Sequence, residues 1–143
     1  MKKNFRKGNY LISTDRSKLD FKVIQGYLSR SYWANKRKPE VTKLSIKNSL
    51  CFGVYFKKTQ MGFARVITDY ATFAYLADVF ILEEFRGRGL SKWLMEIILN
   101  YSQVQNIRRW FLATKDAHGL YKKFGFTSLK EPEKIMEMFR KDL

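Results

Sequence analysis

A run of apolar residues that leads directly into a glycine-containing turn is the feature that most restricts how this chain can fold. The run spans residues 73–82 and contains one acid, Asp78. An almost continuous apolar segment of this length is typical of a central strand that is covered on both faces. The turn spans residues 86–91, and apolar residues recur after it at helical spacing as far as Tyr101. These residues therefore predict a buried strand, a turn and an amphipathic helix in succession.

Shorter elements are predicted before this strand. A strand at residues 10–13 is followed by turn formers, Asp20 is placed to cap a helix that extends to Arg30, and Pro39 suits the first turn of a second helix, which ends near Asn48. The apolar period then changes to two in the runs LCFGVYF and MGFARVIT, which flank a short turn. This pattern predicts an antiparallel hairpin.

Three elements are predicted after the long helix. Residues 109–113 form a short strand, Asp116 caps a helix that Gly125 ends, and residues 135–139 supply a final strand. The chain shows no repeat, low-complexity tract or linker. The predicted fold class is therefore mixed α/β, with a largely antiparallel central sheet flanked by helices and a βαβ unit in the second half, in a single domain that spans residues 1–143.

The charge balance is strongly basic, since 28 Lys and Arg stand against 13 Asp and Glu among 143 residues and give a formal net charge of +15. Such a charge admits nucleic acid as a partner. The basic residues are spread from Lys2 to Lys141, however, and no recognition motif for nucleic acid accompanies them. Nucleic acid is therefore not favoured as a partner. An aromatic content of 16% excludes intrinsic disorder.

Cys51 is the single cysteine, so it cannot form an internal disulfide and lacks partners for a structural zinc site. This usage is typical of a reducing compartment. The apolar stretch behind the basic amino terminus is too short for an export signal, and residues 73–82 cover about half a membrane span. We therefore expect a cytoplasmic protein that contacts no membrane and binds no metal.

The glycine-containing turn has the composition of an anion-binding site. Gly87 and Gly89 let the backbone approach an anion closely, and the first free N–H groups of the following helix point at it. Arg86 and Arg88 add positive charge, and Ser91 adds a hydroxyl donor. The alternative is a solvated turn whose arginines serve solubility. The spacing matches neither the nucleoside-triphosphate loop nor the dinucleotide fingerprint, so we expect another ligand that carries a pyrophosphate.

Two motifs resemble those of the GNAT superfamily of acyl-CoA-dependent N-acetyltransferases. The run RGRGLS at residues 86–91 resembles the superfamily's pattern of Arg or Gln, two residues, Gly, one residue, and Gly or Ala. The run DAHGLYKKFGF at residues 116–126 resembles its later motif, in which Leu-Tyr precedes Gly-Phe. The two runs lie in the superfamily's order, and the predicted elements match its fold over nearly the whole chain. Ser91 stands where the superfamily usually has Gly or Ala, which implies some crowding without loss of binding.

The resemblance implies acetyl-CoA as the co-substrate. In the superfamily, the backbone of the strand before the glycine turn pairs with the pantetheine arm, and one amide steadies the oxyanion of the thioester carbonyl. The pyrophosphate is expected on the amides of the turn. The residues that the resemblance implies for acetyl-CoA binding are Phe80, Ile81, Arg86, Gly87, Arg88, Gly89, Leu90 and Ser91.

The resemblance also implies how protons are moved. Tyr121 matches the superfamily's tyrosine that protonates the departing CoA thiolate, and the alternative is a ring that only packs in its helix. Asp78 lies within an apolar strand, so its carboxylate must either be hydrogen-bonded or face a wet cleft. Asp78 is therefore either the catalytic base or a structural partner. His118 and a chain of water molecules are alternative proton acceptors.

The acceptor site of the superfamily lies between the loop that joins the first two helices and the hairpin opposite. In this chain the aromatic and acidic residues of those segments would suit an amine, whereas Lys36, Arg37 and Lys38 would attract an acidic molecule. The candidate acceptor residues are Tyr32, Trp33, Asp69, Tyr70 and Tyr75.

We therefore expect an N-acetyltransferase that transfers the acetyl group of acetyl-CoA to a primary amine of a small molecule or peptide. The expected mechanism is direct attack in a ternary complex, with Cys51 in the core rather than as a nucleophile. The alternative is a non-catalytic basic binding module, either a CoA sensor or a nucleic-acid binder. The sequence leaves the acceptor and the oligomeric state open, a homodimer included.

Overall fold

Six β-strands pair in chain order into one mixed sheet in the part of the chain that the structure describes. The structure is a computed structural model that describes residues 2–143. Strands β1 to β5 pair antiparallel with their neighbours, and β5 pairs parallel with β6. The strands are β1 (Asn4–Lys7), β2 (Tyr10–Ser13), β3 (Leu50–Phe56), β4 (Thr59–Thr68), β5 (Ala74–Ile81) and β6 (Trp110–Leu112).

The α-helices of the described residues are α1 (Phe21–Leu28), α2 (Pro39–Lys47), α3 (Leu90–Leu99) and α4 (His118–Lys122). Asp20 caps α1 as predicted, because its carboxylate accepts hydrogen bonds from the N–H groups of Lys22 (3.0 Å) and Val23 (3.4 Å). The predicted hairpin is confirmed as β3 and β4. Helix α3 connects β5 with its parallel neighbour β6, so the predicted βαβ unit is also confirmed.

Apolar side chains cover both faces of the sheet. Phe52 of β3 meets the ring of Tyr101, which follows α3, at a centroid distance of 5.3 Å. Its neighbour Cys51 packs instead with α1. Because successive residues of a strand point to opposite faces, α1 and the end of α3 lie on opposite sides of the sheet. The cluster on the α1 side comprises Ile24, Leu28, Ala34, Cys51, Phe63 and Phe80.

Three predictions about single elements are wrong or incomplete. Strand β1 was not predicted, because its charged residues are those of an exposed edge strand, which resembles a loop in sequence. Asp116 does not cap α4. The N-cap is Ala117, and its N–H donates to Oγ1 of Thr114 at 3.0 Å. Residues 135–139 form no strand, since no neighbouring strand in the described chain pairs with them.

The described chain divides into two compact units. The first ends at Ala113 and holds the whole sheet, and the second, Thr114–Leu143, holds α4. The single domain of residues 1–143 stays a prediction. No helix within residues 2–143 combines the length and the hydropathy that crossing a membrane requires.

Candidate functional site

One edge of β5 is open over its carboxyl-terminal half. Strand β6 pairs with Ala74, Tyr75 and Leu76 only, so no described strand lies beside residues 77–81 on that side. On the other side, β4 remains paired with β5 as far as Ile81. The N–H and C=O groups that point to the open edge can therefore pair with an extended ligand, as a peptide strand would. This edge contains Phe80 and Ile81, the two residues predicted to pair with a pantetheine arm.

A β-bulge at Asp78 bends β5 where the open edge begins. Phe63 of β4 lies opposite Phe80, but Arg65 lies opposite Ala77, so that two residues of β5 face a single residue of β4. Asp78 has a φ of 53°, which is uncommon outside glycine and is tolerated best by Asn and Asp. A bulge of this kind bends its strand and increases the local twist.

Four hydrogen bonds hold the carboxylate of Asp78, whose side chain is 2% exposed. Nε of Arg65 donates to Oδ2 at 3.0 Å, and Nη1 of Arg37 donates to the same oxygen at 2.8 Å. Oδ1 accepts from Nη2 of Arg37 at 3.3 Å and from Nε1 of Trp33 at 2.9 Å. Arg37 and Trp33 belong to the loop between α1 and α2, so Asp78 fastens that loop to the bulge of β5.

The surroundings of Asp78 favour its charged form. Burial by itself would raise the pKa of its carboxyl, but the hydrogen bond from Arg37 and the positive charges of Arg65 and Arg37 outweigh burial and lower it. A carboxylate with a lowered pKa is a weaker proton acceptor than an ordinary aspartate. This geometry supports the structural alternative for Asp78.

The glycine turn after β5 presents backbone N–H groups. Gly87 and Gly89 have φ values of 80° and 76°, and a Cβ at either position would meet no atom within 4 Å, so the backbone conformation rather than crowding requires glycine. Gly89 is the N-cap of α3 and provides no side-chain cap. The N–H groups of Leu90 and Ser91 therefore have no partner within the helix and point outward, where an anion is favoured.

The two arginines of the turn contact neighbouring elements. Arg86 donates from Nε to the carbonyl of Ile81 at 3.1 Å and from Nη2 to the hydroxyl of Tyr27 at 2.7 Å. Arg88 donates from Nη1 to the hydroxyl of Tyr10 at 3.0 Å. Arg86 thus ties the turn to the end of β5 and to α1. Its predicted part in the phosphate cradle stays a prediction.

Gly62 lies beside the end of β5 that carries Phe80 and Ile81, and it was not among the residues predicted for the site. It pairs with Ile81 across β4 and β5, and a Cβ there would lie 2.9 Å from the carbonyl oxygen of Phe80 and 2.7 Å from Cδ1 of Ile81. Only glycine allows β5 to approach β4 this closely. The available signal was a glycine inside an apolar strand pattern, which indicates a close backbone approach.

Tyr121 lies on α4, in the second unit of the chain. Its side chain is buried, and its ring meets the ring of Phe126 edge-on at 5.9 Å. The N–H of Phe126 donates to the carbonyl of Tyr121 at 3.2 Å and closes the helix. His118 is exposed at the first residue of α4. The acid role of Tyr121 stays a prediction.

The predicted acceptor residues lie in two parts of the fold. Two are in the loop between α1 and α2, and three are in β5 or in the loop that precedes it. Trp33 reaches Asp78 through its hydrogen bond, and the ring of Tyr32 meets that of Trp33 edge-on at 5.1 Å. Asp69 instead folds its own loop, since its carboxylate accepts from the N–H and the hydroxyl of Thr72, at 2.7 and 2.6 Å, and these bonds lower its pKa. Tyr75 is half-buried on β5.

Tyr70 lines a cavity of about 540 Å³ at the end of the strands opposite the glycine turn. Arg16 and Cys51 also line this cavity. Nη2 of Arg16 donates to the carbonyl of Ser49 at 2.6 Å, and the hydroxyl of Ser49 accepts from Arg65 at 3.2 Å. A chain of polar contacts therefore leads from the cavity to Arg65, which binds Asp78.

Cys51 is buried, and this burial raises the pKa of its thiol to about 11. The thiol is therefore protonated at neutral pH and is a poor nucleophile. Among residues 2–143, no group of three or more His, Cys, Asp or Glu side chains is placed to hold a metal ion.

The family model for the acetyltransferase (GNAT) domain matches residues 47–128. A Gibberella zeae protein that carries an acetyltransferase name is 32% identical over an alignment of 150 positions, which covers 90% of this chain and 85% of that protein. A crystal structure of a Xanthomonas campestris protein assigned to the GNAT family is 46% identical with a TM-score of 0.90, and the match covers 94% of this chain and 96% of that one. A GNAT acetyltransferase of Elizabethkingia anophelis, solved with acetyl-CoA bound, shares the fold at 13% identity and a TM-score of 0.64, over 85% of this chain and 78% of that one.

Proposed function

Because this chain belongs to the GNAT acetyltransferase family, we propose that it transfers the acetyl group of acetyl-CoA to a primary amine of a small molecule or peptide. One observation carries the proposal: the open edge of β5 leads directly into a glycine turn and the uncapped amino terminus of α3. An extended arm that ends in a pyrophosphate has the shape and the charge that suit these two features.

The open edge and the turn divide the binding of acetyl-CoA between them. The backbones of Phe80 and Ile81 pair with the amides of the pantetheine arm, and the N–H groups from Arg88 to Ser91 bind the pyrophosphate. The formal net charge of +15 favours the approach of so negative a molecule. The strand pairing with β4, which Gly62 permits, holds the open edge in place.

We propose direct transfer in a ternary complex. The amine nitrogen attacks the thioester carbonyl, the C–N bond forms, the C–S bond breaks, and CoA leaves as a thiolate. The phenol of Tyr121 donates a proton to that thiolate and regains one from water, and its position in the family motif supports this role. The raised pKa of Cys51 supports a mechanism without an acylated cysteine.

We assign Asp78 a positioning role. Its carboxylate accepts hydrogen bonds from Arg65, Arg37 and Trp33. Through these bonds Asp78 orients the loop between α1 and α2, which contains Tyr32 and Trp33, next to the open edge of β5. The proton that the amine loses then passes to water. The acceptor amine is proposed to lie beside this aromatic loop, and the cytoplasm is the proposed location because the thiol of Cys51 is free.

The test measures the release of CoA thiol from acetyl-CoA in the presence of a panel of amines, peptides and antibiotics that carry amino groups. Calorimetric titration of the protein with CoA accompanies it. Saturable release with at least one amine, and micromolar or tighter binding of CoA, are the expected results. Binding of CoA without release for any amine would favour a CoA sensor. Absence of both, with salt-sensitive binding of duplex DNA or RNA, would favour the nucleic-acid module and contradict the proposal.

A further inference from the structure

The acids around β5 that could hold a cationic amine are already engaged by groups of this chain. Asp78 accepts four hydrogen bonds, and Asp69 accepts bonds within its own loop. Glu83 accepts from Nε and Nη2 of Arg30 at 3.2 and 2.9 Å, and this pairing lowers the pKa of its carboxyl to about 2. Glu84 forms no hydrogen bond within residues 2–143, but it is exposed and its charge acts on Arg30. The region therefore offers no oriented carboxylate for an ammonium group.

Two guanidinium groups share the single carboxylate of Asp78, so this cluster carries a net positive charge. Arg65 is buried and Arg37 is partly exposed, and within residues 2–143 neither forms an ion pair with another acid. Nη2 of Arg65 and Nε of Arg37 donate no hydrogen bond in that range, and neither nitrogen is fully buried. A buried excess of charge is costly unless it is paired. These two donors can therefore receive an anionic group of a ligand.

The loop between α1 and α2 adds positive charge and no negative charge. It covers residues 29–38, which include four basic residues and no acid. Arg30 pairs with Glu83, whereas Lys36 and Lys38 form no ion pair within the described chain. With Arg65, the region holds five basic residues against three acids, Asp78, Glu83 and Glu84. Its electrostatic potential therefore favours an anion.

Aromatic rings extend from the open edge of β5 towards solvent. The ring of Tyr27 stacks on that of Phe80 with a centroid distance of 4.1 Å and an interplanar angle of 9°. The ring of Trp33 lies 6.2 Å from that of Tyr27, and the ring of Tyr32 lies 5.1 Å from that of Trp33. Trp33 and Tyr32 are 39% and 51% exposed. Because Trp33 also donates to Asp78, this planar apolar surface adjoins the positive cluster.

We propose that the acceptor is a small amine that also carries an anionic group and a planar apolar body. The anionic group, a carboxylate or a phosphate, pairs with Arg37 and Arg65, and the body packs on the ring of Trp33. The amine then faces the open edge of β5, where the thioester is proposed to lie. An aromatic amino acid is an example of this class. The inference rests on the proposed acetyl transfer and leaves the bonds formed and broken there unchanged.

An amine without an anionic group fits this site less well. It leaves the guanidinium groups of Arg37 and Arg65 without a second counter-charge. In its protonated form it also brings another cation next to them, where like charges repel. The charge of the site therefore selects between two amines of the same shape.

Matched pairs of acceptors test this selection. Tyrosine and tyramine differ only in a carboxylate, and O-phosphoethanolamine and ethanolamine differ only in a phosphate. In at least one pair, kcat/KM for CoA release should be about tenfold or more higher for the anionic member, because it gains a charge-assisted hydrogen bond. The pair with the larger ratio identifies the anionic group as carboxylate or phosphate. Equal values within both pairs, or higher values for the members without the anion, would overturn the proposal.

Tyrosinamide separates the effect of the carboxylate from that of amine basicity. It lacks the carboxylate and has a less basic amine than tyrosine, so a larger fraction of it is neutral and able to attack. Basicity alone would therefore favour tyrosinamide. We expect the protein to favour tyrosine, and a preference for tyrosinamide would contradict recognition of the carboxylate.

Variants of the positive cluster change the ratio of kcat/KM for tyrosine to that for tyramine. Arg37→Gln should lower this ratio about tenfold, Arg37→Lys should retain most of it, and Asp78→Asn should raise it, because the first removes a cation and the last removes an anion. A loss of folded protein or of loop position lowers both values and leaves their ratio unchanged. The matched control is Arg6→Gln on the exposed strand β1, which should not alter the ratio. The same ratio in all variants would overturn the assignment of the anion to this cluster.

Binding measurements distinguish failure of this inference from failure of the proposed acetyl transfer. Calorimetry titrates the complex of the protein with CoA with tyrosine and with tyramine. Turnover of amines regardless of an anionic group would overturn the acceptor class and leave acetyl transfer intact. Tighter binding of tyrosine than of tyramine, without turnover of any amine, would support the acceptor class and contradict the transfer. Neither binding nor turnover of any anionic amine tested would overturn the inference.

Discussion

Asp78→Asn removes the negative charge of this side chain and leaves its size and shape almost unchanged. Asparagine has the same shape as aspartate and also tolerates the φ of 53° that this position requires. The substitution leaves the guanidinium groups of Arg65 and Arg37, whose side chains are 8% and 22% exposed, without a counter-charge. Its amide would also bring N–H donors towards the arginine donors.

The expected loss of stability follows from this burial. Removing one partner of a buried ion pair costs about 3–5 kcal/mol, and the partial exposure of Arg37 places the estimate near 3 kcal/mol. For a chain of this length, that loss lowers the melting temperature by roughly 6–12 °C. Urea unfolding and calorimetry measure both quantities. Asp116→Asn, an exposed substitution of the same chemistry, should change stability by less than about 0.5 kcal/mol.

The pH dependence provides a second measurement. The pKa of Asp78 is lowered in the folded protein, so its contribution to stability is present above the ordinary aspartate pKa of about 4 and is lost as pH falls through the lowered value. The stability difference between wild type and Asp78→Asn should therefore shrink in acid. Unchanged melting at neutral pH, together with abolished turnover, would refute the positioning role and identify Asp78 as the base.

Three other substitutions, the first of them with a matched control, test the remaining parts of the site. Gly89→Ala and Gly8→Ala both place a side chain at positive φ in open space and should each cost about 1 kcal/mol, but only Gly89→Ala should weaken CoA binding, by about tenfold. Calorimetric titration measures this, and equal affinities would contradict the amide cradle. Gly62→Ala should lower the free energy of unfolding by about 1–3 kcal/mol and weaken CoA binding, because the new Cβ displaces the carbonyl of Phe80. An unchanged melting temperature, both with and without CoA, would contradict the close approach of β4 and β5. Tyr121→Phe should lower kcat about a hundredfold and leave the CoA dissociation constant unchanged, whereas full turnover would exclude its acid role.

Local patterns predicted most of the elements correctly. The cap at Asp20, the proline at the start of α2 and the apolar stripe of α3 each depend on residues within a few positions of one another. The same patterns failed where an element depends on a neighbour. Strand β1 exists because β2 pairs with it, and residues 135–139 have a strand-like composition but no described strand beside them.

The candidate site was predicted in part. The turn with Gly87 and Gly89 was identified from sequence alone, because the two glycines stand between a predicted strand and a predicted helix. The structure adds that both have a φ near +80°, which glycine adopts without strain. The four hydrogen bonds of Asp78 were not identified, since Trp33 and Arg37 lie 45 and 41 residues away along the chain. A buried acid requires partners, but its position in the sequence does not say which ones.

By itself, the sequence predicted the glycine-containing turn, the helix that follows it and the family to which these motifs belong. These features depend on dihedral preferences and periodicities that operate over a few residues. Only the tertiary structure shows that β6 ends beside Leu76 and leaves one edge of β5 unpaired. It also shows that Gly62 leaves space for the carbonyl of Phe80 and that two arginines donate hydrogen bonds to the carboxylate of Asp78. Each of these depends on segments distant in the chain that meet only when the sheet is formed, and no local pattern encodes which segments meet.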